Sequence, residues 1–109
     1  MSTRLPGAKY KSVFDRGRSY RGRLFVAWVL RSTDAGRQAG VVVSKKSFHD
    51  AVDRNRAKRL LREGFRLLSS ELAVDAQWIL IGRSTLRDCG TADVMDELRY
   101  LANKAGALA

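Results

Sequence analysis

The chain has 109 residues, 45% of them hydrophobic, with one cysteine and one histidine. This length predicts one domain, residues 1–109, with a modest core, and the lone Cys89 and His49 exclude an internal disulfide and a zinc-type ligand set. No run approaches the roughly 18 apolar residues of a membrane span, and no apolar signal block starts the chain, so we expect a cytoplasmic protein without a membrane-spanning segment.

The positive charge is unevenly distributed. Residues 1–66 hold 17 Lys or Arg against 5 Asp or Glu, whereas residues 67–109 hold 4 against 6, and the whole chain carries a net charge of +10. A basic region of this density favours a polyanion partner, either nucleic acid or an acidic membrane surface.

The first half of the chain predicts one helix and two or three strands. Residues 8–17 favour a short helix in which Tyr10 and Phe14 share a face and Gly17 is the stop. A short strand is expected around Tyr20. Residues 23–31 predict a strand that is apolar on both faces, with Leu24, Val26, Trp28 and Leu30 on one side. Residues 32–37 read as a turn, and residues 38–46 as a strand that ends on Lys45 and Lys46.

The second half predicts helix, strand and helix. A long helix should begin after an N-cap at Asp50 and run to about Leu72. Residues 76–82 form a strand buried on both faces, residues 83–90 a loop, and residues 91–106 a helix capped by Thr91 and stopped by Gly106. The element order αβββαβα indicates helices packed against a small sheet.

The long helix is two-sided when ~100° is assigned to each residue. Its predicted core stripe consists of Ala57, Leu60, Leu61, Gly64, Phe65, Leu67 and Leu68. Its opposite face is a cationic ridge made of Arg54, Asn55, Lys58, Arg59, Arg62 and Arg66. Arg56 falls on the other shoulder of the stripe, so its direction stays open. Like charges four residues apart destabilise a lone helix, so a partner supplying negative charge is favoured over stability as the reason for the ridge.

Aromatic residues alternate with basic ones near the N-terminus, a combination that suits unpaired nucleotides because rings stack on bases while cations follow the backbone. The pattern alone favours neither of two interpretations for Tyr10, Phe14 and Trp28, which could lie in the core or on a ligand-binding face. An enzyme site has little support, since no phosphate-binding glycine loop or nucleophile with a nearby base is present. Cys89 is only a weak candidate for a reactive thiol.

Several stretches together resemble the bacterial ribonuclease P protein family. RNRAKRLLREGFR at residues 54–66 is similar to its RNR signature, and GVVVSKK at residues 40–46 to its strand with a Lys-Lys pair. YKSVFDRG at residues 10–17 and GRLFVAWVL at residues 22–30 are similar to its first helix and strand.

The resemblance implies an α+β sandwich with a mostly antiparallel sheet of about four strands, three helices and a left-handed strand–helix–strand crossover. It implies a subunit that binds the catalytic RNA and the single-stranded leader of precursor tRNA, while the RNA removes the 5′ leader with Mg²⁺. No cofactor bound by the protein alone, no catalytic residue, no small-molecule substrate and no membrane partner are expected. The implied RNA-subunit contacts are Lys45, Lys46, Arg54, Asn55, Arg56, Lys58, Arg59, Arg62 and Arg66. The implied leader cleft consists of Tyr10, Phe14, Val26 and Trp28. The alternative is a general single-stranded RNA-binding or ribosome-associated module without processing activity.

Overall fold

A computed structural model describes residues 4–32 and 36–109 and confirms the α+β fold. Within these ranges the helices are α1 (Tyr10–Arg16), α2 (Ala51–Leu68) and α3 (Thr91–Lys104), and the strands are β1 (Arg18–Arg21), β2 (Phe25–Arg31), β3 (Gln38–Val42) and β4 (Ala76–Gly82). Short 3-10 helices span Gly7–Lys9, Ser69–Glu71 and Ser84–Asp88. The turn predicted at 32–37 falls partly outside the described residues, at 33–35.

The four strands form one mixed sheet in the order β1-β2-β4-β3. The β1–β2 and β2–β4 pairs are antiparallel, and β3 is parallel to β4. Because α2 lies between β3 and β4 in the chain, these strands and α2 form the strand–helix–strand unit that the family resemblance implies. Its left hand stays a prediction.

The sheet has apolar side chains on both faces, as the double-sided strands predict. On one face α2 and α3 enclose the main core, which contains Phe25, Leu61, Phe65, Trp78 and Leu98 among its buried residues. The other face is covered by α1 through a smaller cluster. Its buried members are Leu5, Val13, Leu30 and Ile79. The side that α1 covers only partly is where half-buried aromatic residues collect.

Leu24 departs from the predicted alternation because the strand begins later than expected. Residues 23–31 were predicted as β2, but the strand starts at Phe25, and Leu24 packs into the main core. The backbone N–H groups of Arg23, Leu24 and Phe25 donate to the Glu97 carboxylate over 2.9, 2.7 and 3.1 Å. Glu97 of α3 thus binds the backbone just before β2, and the two-residue alternation of the strand does not extend back to Leu24.

The predicted end of β3 at the lysine pair is also wrong. The strand ends at Val42, and Lys45 and Lys46 lie in the turn that follows. That turn closes on Ser44, whose carbonyl accepts from the Phe48 N–H at 3.0 Å and whose hydroxyl accepts from the Ser47 N–H at 3.2 Å. These local bonds replace the sheet ladder.

The predicted core stripe of α2 is wider than the one that forms. Ala57, Leu61, Gly64, Phe65 and Leu68 are buried, whereas Leu67 is 45% exposed and Leu60 is half-buried. When angles on the helix wheel are counted from Arg54, Leu60 and Leu67 fall at ~240° and ~220°, at the edge of the arc that faces the sheet.

Both ends of the long helix, and the start of α3, differ in detail from the sequence prediction. Asp50 is the N-cap residue of α2 as predicted, but its side chain makes no capping hydrogen bond. The α-helix ends at Leu68 rather than Leu72, where the Ser69 hydroxyl donates to the Arg66 carbonyl at 2.8 Å. Thr91 is the first residue of α3, not its cap.

The cap of α3 is Gly90, because the Asp93 carboxylate accepts from the Gly90 N–H at 2.9 Å. Gly106, with φ of 66°, ends the helix as predicted. No helix in residues 4–32 and 36–109 has the length and apolar character to cross a bilayer.

Candidate nucleic-acid interface

The cationic ridge borders a groove of about 430 Å³ between α2 and the β3 edge of the sheet. The ridge residues lining it are Asn55, Lys58, Arg59, Arg62 and Arg66. Ala39 of β3 forms part of the opposite wall. In the described part of the chain, neither Lys58, Arg59 nor Arg62 forms an ion pair with a carboxylate. Three cations and one amide are therefore available along a single groove.

Arg66 shares the groove but carries a partner. Its guanidinium pairs with Glu63, one turn earlier, and the Nε–Oε2 distance is 3.1 Å. The hydrogen bond from Arg66 lowers the pKa of the Glu63 carboxyl and raises that of Arg66. Both side chains are exposed, so the pair weakens the local positive potential at this end of the ridge without fixing the helix.

Arg54 and Arg56 are turned toward protein carbonyls rather than into the groove. Arg54 Nη1 donates to the carbonyls of Phe48 and His49 at 2.9 and 2.8 Å. Arg56 Nη1 and Nη2 donate to the carbonyls of Arg87 and Cys89 at 2.8 and 3.0 Å. The position of Arg56, left open by the helix wheel, is thus on the side of α2 that meets the loop before α3.

Lys45 and Lys46 are exposed in the turn that leads from β3 to α2. Arg54 ties the last part of this turn to the first turns of α2 through its two carbonyl bonds. The lysine pair therefore adjoins the N-terminal end of the helix that carries the ridge.

The predicted leader-binding residues come together on the face of the sheet that α1 covers. Tyr10, Phe14 and Trp28 are all half-buried and pack on the smaller cluster. The rings of Phe14 and Trp28 meet edge to face with centroids 5.4 Å apart and an interplanar angle of 76°. Val26 is half-buried and lies two residues before Trp28, so it shares the same face of β2.

Strand register adds two residues that the sequence reasoning missed. Val26 is paired with Ile81 of β4, which in turn is paired with Val42 of β3. Directly paired side chains lie on the same face, so these three half-buried residues form one apolar row about 10 Å long across three strands. The sequence held no distinguishing signal, because residues 76–82 are apolar on both faces, and the strand order was needed to find the row.

Gly40 is a third residue that the sequence reasoning missed. A Cβ added at Gly40 would lie 2.2 Å from the Tyr10 hydroxyl oxygen and 2.3 Å from the carbon that bears it. The Tyr10 ring therefore lies directly over the β3 backbone and forms one wall of an aromatic cleft. The aromatic cleft is the surface formed by Tyr10, Phe14, Val26, Trp28, Val42 and Ile81.

The other candidate residues are placed outside this interface. The Cys89 thiol donates to the Thr85 carbonyl at 3.4 Å, and burial followed by the nearby Asp93 raises its pKa. His49 is exposed and contributes its backbone carbonyl to Arg54. Tyr20 packs against the main core. Among residues 4–32 and 36–109, no group of three or more His, Cys, Asp or Glu is placed to hold a metal ion.

Comparison with known proteins gives a consistent result. The family model described as Ribonuclease P matches residues 5–106. The ribonuclease P protein component of Shouchella clausii is 36% identical over 102 residues, covering 93% of this chain and 83% of that protein. The corresponding protein of Clostridium acetobutylicum is 35% identical over 102 residues, covering 91% and 84%.

Solved structures agree with the fold. The Staphylococcus aureus RNase P protein has a TM-score of 0.80 at 26% identity and covers 100% of both chains. The Thermotoga maritima RNase P protein, at 24% identity, has a TM-score of 0.79 and covers 94% of this chain and 97% of its own. The family match across residues 5–106, together with relatives above 30% identity, shows that the chain belongs to the ribonuclease P protein family.

Proposed function

We propose that this chain is the RNA-binding protein subunit of a bacterial ribonuclease P, which acts with an RNA subunit in 5′ processing of precursor tRNA. The relatives named ribonuclease P protein component match this chain over most of their own length. The observation that supports the role most strongly is the presence of two separate surfaces, the cationic ridge and the aromatic cleft, on opposite sides of one small sheet.

The ridge is assigned to the RNA subunit. Lys58, Arg59 and Arg62 line one groove without carboxylate partners in the described part of the chain. Guanidinium groups donate bidentately to phosphate oxygens, and the Asn55 amide offers a donor and an acceptor to a base edge or a sugar hydroxyl. Phosphates bound here offset the repulsion among cations spaced three and four residues apart.

The aromatic cleft is assigned to the single-stranded leader. Tyr10, Phe14 and Trp28 are half-buried, so the fold fixes their orientation while part of each ring stays open to solvent. The apolar row of Val26, Ile81 and Val42 gives a floor about 10 Å long, enough for one or two unpaired bases. Stacking accepts any base, which suits a subunit that meets leaders of many sequences.

The protein's part in the reaction is then positioning rather than bond-breaking. A leader held in the cleft and an RNA subunit held on the ridge are fixed relative to each other by the sheet between them, which lowers the entropy cost of aligning the scissile phosphate. The Mg²⁺ expected for the reaction is assigned to the RNA, in line with the catalytic role that the family resemblance gives to the RNA subunit.

Reconstitution tests this function. Purified protein is added to a bacterial ribonuclease P RNA and precursor tRNA at magnesium concentrations too low for the RNA alone. We expect leader removal to be restored and the affinity for precursor tRNA to exceed that for mature tRNA. Equal affinity for unrelated RNAs, with no restored cleavage, would instead support a general RNA-binding module. A protein that cleaves precursor tRNA without RNA would contradict both.

A further inference from the structure

Two arginines hold the turn that carries Lys45 and Lys46, and one of them, Arg87, lies far from the RNR stretch in sequence. Arg87 belongs to the short 3-10 helix Ser84–Asp88 before α3. Its guanidinium carbon lies 5.4 Å from the centroid of the Phe48 ring, and its Nη2 donates to the Ser47 carbonyl at 3.3 Å. Phe48 itself is only 1% exposed. Arg87 therefore reaches across to the turn that follows β3.

The same turn is held from the side of α2. Arg54 Nη1 donates to the carbonyls of Phe48 and His49, directly after the carbonyl that Arg87 uses. Arg56 in turn donates to the carbonyl of Arg87 at 2.8 Å. Three consecutive carbonyls of the turn, from Ser47 to His49, thus accept hydrogen bonds from two arginines, and a third arginine fixes the position of Arg87.

The arrangement brings cations close together, and their electrostatic repulsion disfavours the folded state. Within residues 4–32 and 36–109, none of Arg54, Arg56 and Arg87 has a carboxylate ion-pair partner. The turn they hold adds two exposed cations, Lys45 and Lys46. Clustered cations repel one another, and neutral hydrogen-bonding residues would hold a turn without that repulsion. When a polyanion is bound, the same cluster of cations contributes attraction to its phosphates instead of repulsion.

We propose that Arg87 is a positioning residue for RNA binding: it fixes the Ser44–His49 turn so that Lys45 and Lys46 meet phosphates of the RNA subunit together. The inference rests on the proposed function and extends it to a residue outside the ridge. Arg87 acts through the lysine pair, since the contacts that its guanidinium makes, with the Phe48 ring and the Ser47 carbonyl, both lie in the turn that carries Lys45 and Lys46. Ordering the turn in advance removes an entropy cost from binding.

A double-mutant cycle tests the coupling. The variants are Arg87→Met, Lys45→Ala with Lys46→Ala, and the triple combination, with affinity for a bacterial ribonuclease P RNA as the measurement. Arg87→Met keeps an unbranched apolar side chain near Phe48 but removes the charge and the donor. We expect about a tenfold loss of affinity from Arg87→Met in the wild type and less than about twofold when both lysines are already alanine.

The salt dependence of the same binding separates positioning from direct contact. Each phosphate contact contributes about 0.7 to 0.9 to the slope of log K against log salt concentration. Loss of Arg87 as a single contact would lower the slope by no more than that, whereas loss of both lysine contacts would lower it by about twice as much. Arg99→Met is the matched control, because it also removes one arginine, but one that lies on α3 and pairs with Asp96 of the same helix and with Glu71 of the 3-10 helix after α2.

Three results would overturn the inference. An equal loss from Arg87→Met in both backgrounds would identify a direct contact or a general loss of stability. Full affinity in Arg87→Met would mean that Arg87 has no positioning role. An unchanged affinity after removal of Lys45 and Lys46, while Arg59→Ala and Arg62→Ala still weaken binding, would refute the inference but leave the proposed function standing. If none of these variants weakened binding, the proposed function would fail as well.

Discussion

Replacing Gly40 with alanine should disturb the aromatic cleft while leaving the fold largely intact. The added Cβ would lie 2.2 Å from the Tyr10 hydroxyl oxygen, well inside van der Waals contact. Its three nearest neighbours all belong to the outer end of the Tyr10 side chain, and no backbone atom is among them. The Tyr10 ring can therefore swing away from β3, whereas the strand itself need not move.

The two expected effects differ in size. Crowding a packed site costs about 1–3 kcal/mol, and a flexible ring places this case at the lower end. Replacing glycine inside a strand returns about 0.5–1 kcal/mol through reduced backbone entropy in the unfolded chain. We therefore expect the free energy of unfolding to fall by no more than about 1 kcal/mol. Stacking of one base on one ring contributes about 1–3 kcal/mol, so complete displacement of Tyr10 should weaken leader binding by about 5- to 150-fold.

The assay is the affinity of the reconstituted holoenzyme for precursor tRNA relative to tRNA that lacks the leader. Only the leader-dependent part should fall in Gly40→Ala. Gly82→Ala is the matched control: it also places a methyl group on a strand glycine, but against Val43, Leu61 and Leu86 in the main core, 3.3 to 3.4 Å away. Unchanged leader preference in Gly40→Ala, or a loss of stability above about 3 kcal/mol, would refute the reasoning.

Three further predictions concern single side chains elsewhere in the fold. Glu97→Ala should lower the free energy of unfolding by about 2–4 kcal/mol in urea denaturation, because three backbone N–H groups lose a charged acceptor; a loss below about 0.5 kcal/mol would contradict this. Burial raises the pKa of Cys89, so its alkylation rate should rise with pH only above the range of free cysteine, and an inflection at or below that range would be inconsistent. Glu63→Ala should strengthen RNA-subunit binding about twofold by releasing Arg66 from its ion pair, and weaker binding would show that the pair orients Arg66.

The regular elements were largely predictable because local pattern determines them. The strand Ala76–Gly82 was expected with the observed bounds, since its residues are apolar on both faces and flanked by loop residues. The two sides of α2 also followed from the helical period, and the αβββαβα order followed from the local patterns taken along the chain. Each of these depends on the identity of nearby residues rather than on tertiary contacts.

The rest depended on contacts between residues far apart in sequence. Glu97 lies 72 to 74 residues from the N–H groups that it binds. Because of these bonds β2 starts at Phe25 rather than Arg23, and Leu24 points into the main core. Arg56 was unassigned on the helix wheel because its partners are carbonyls 31 and 33 residues away. Val42 and Ile81 joined the aromatic cleft only once the strand order β1-β2-β4-β3 was known.

The candidate site shows the same division. The helical period placed Lys58, Arg59 and Arg62 on one face, and the structure adds that they border a common groove. No sequence rule distinguished them from Arg54, which lies on the same face of the wheel but donates to the carbonyls of its preceding turn. A basic helix read from sequence therefore overcounts the arginines that are free to meet a ligand.

The central claim is that two surfaces bind two different RNA elements, and paired variants test it most directly. Arg59→Ala with Arg62→Ala removes two cations of the ridge, and Phe14→Ala with Trp28→Ala removes two rings of the cleft. The affinity for the ribonuclease P RNA and the leader-dependent affinity for precursor tRNA are measured for both variants. We predict that the first variant weakens only RNA-subunit binding, by about 10- to 100-fold, and that the second weakens only the leader-dependent part. Equal losses of both affinities in either variant would contradict the account.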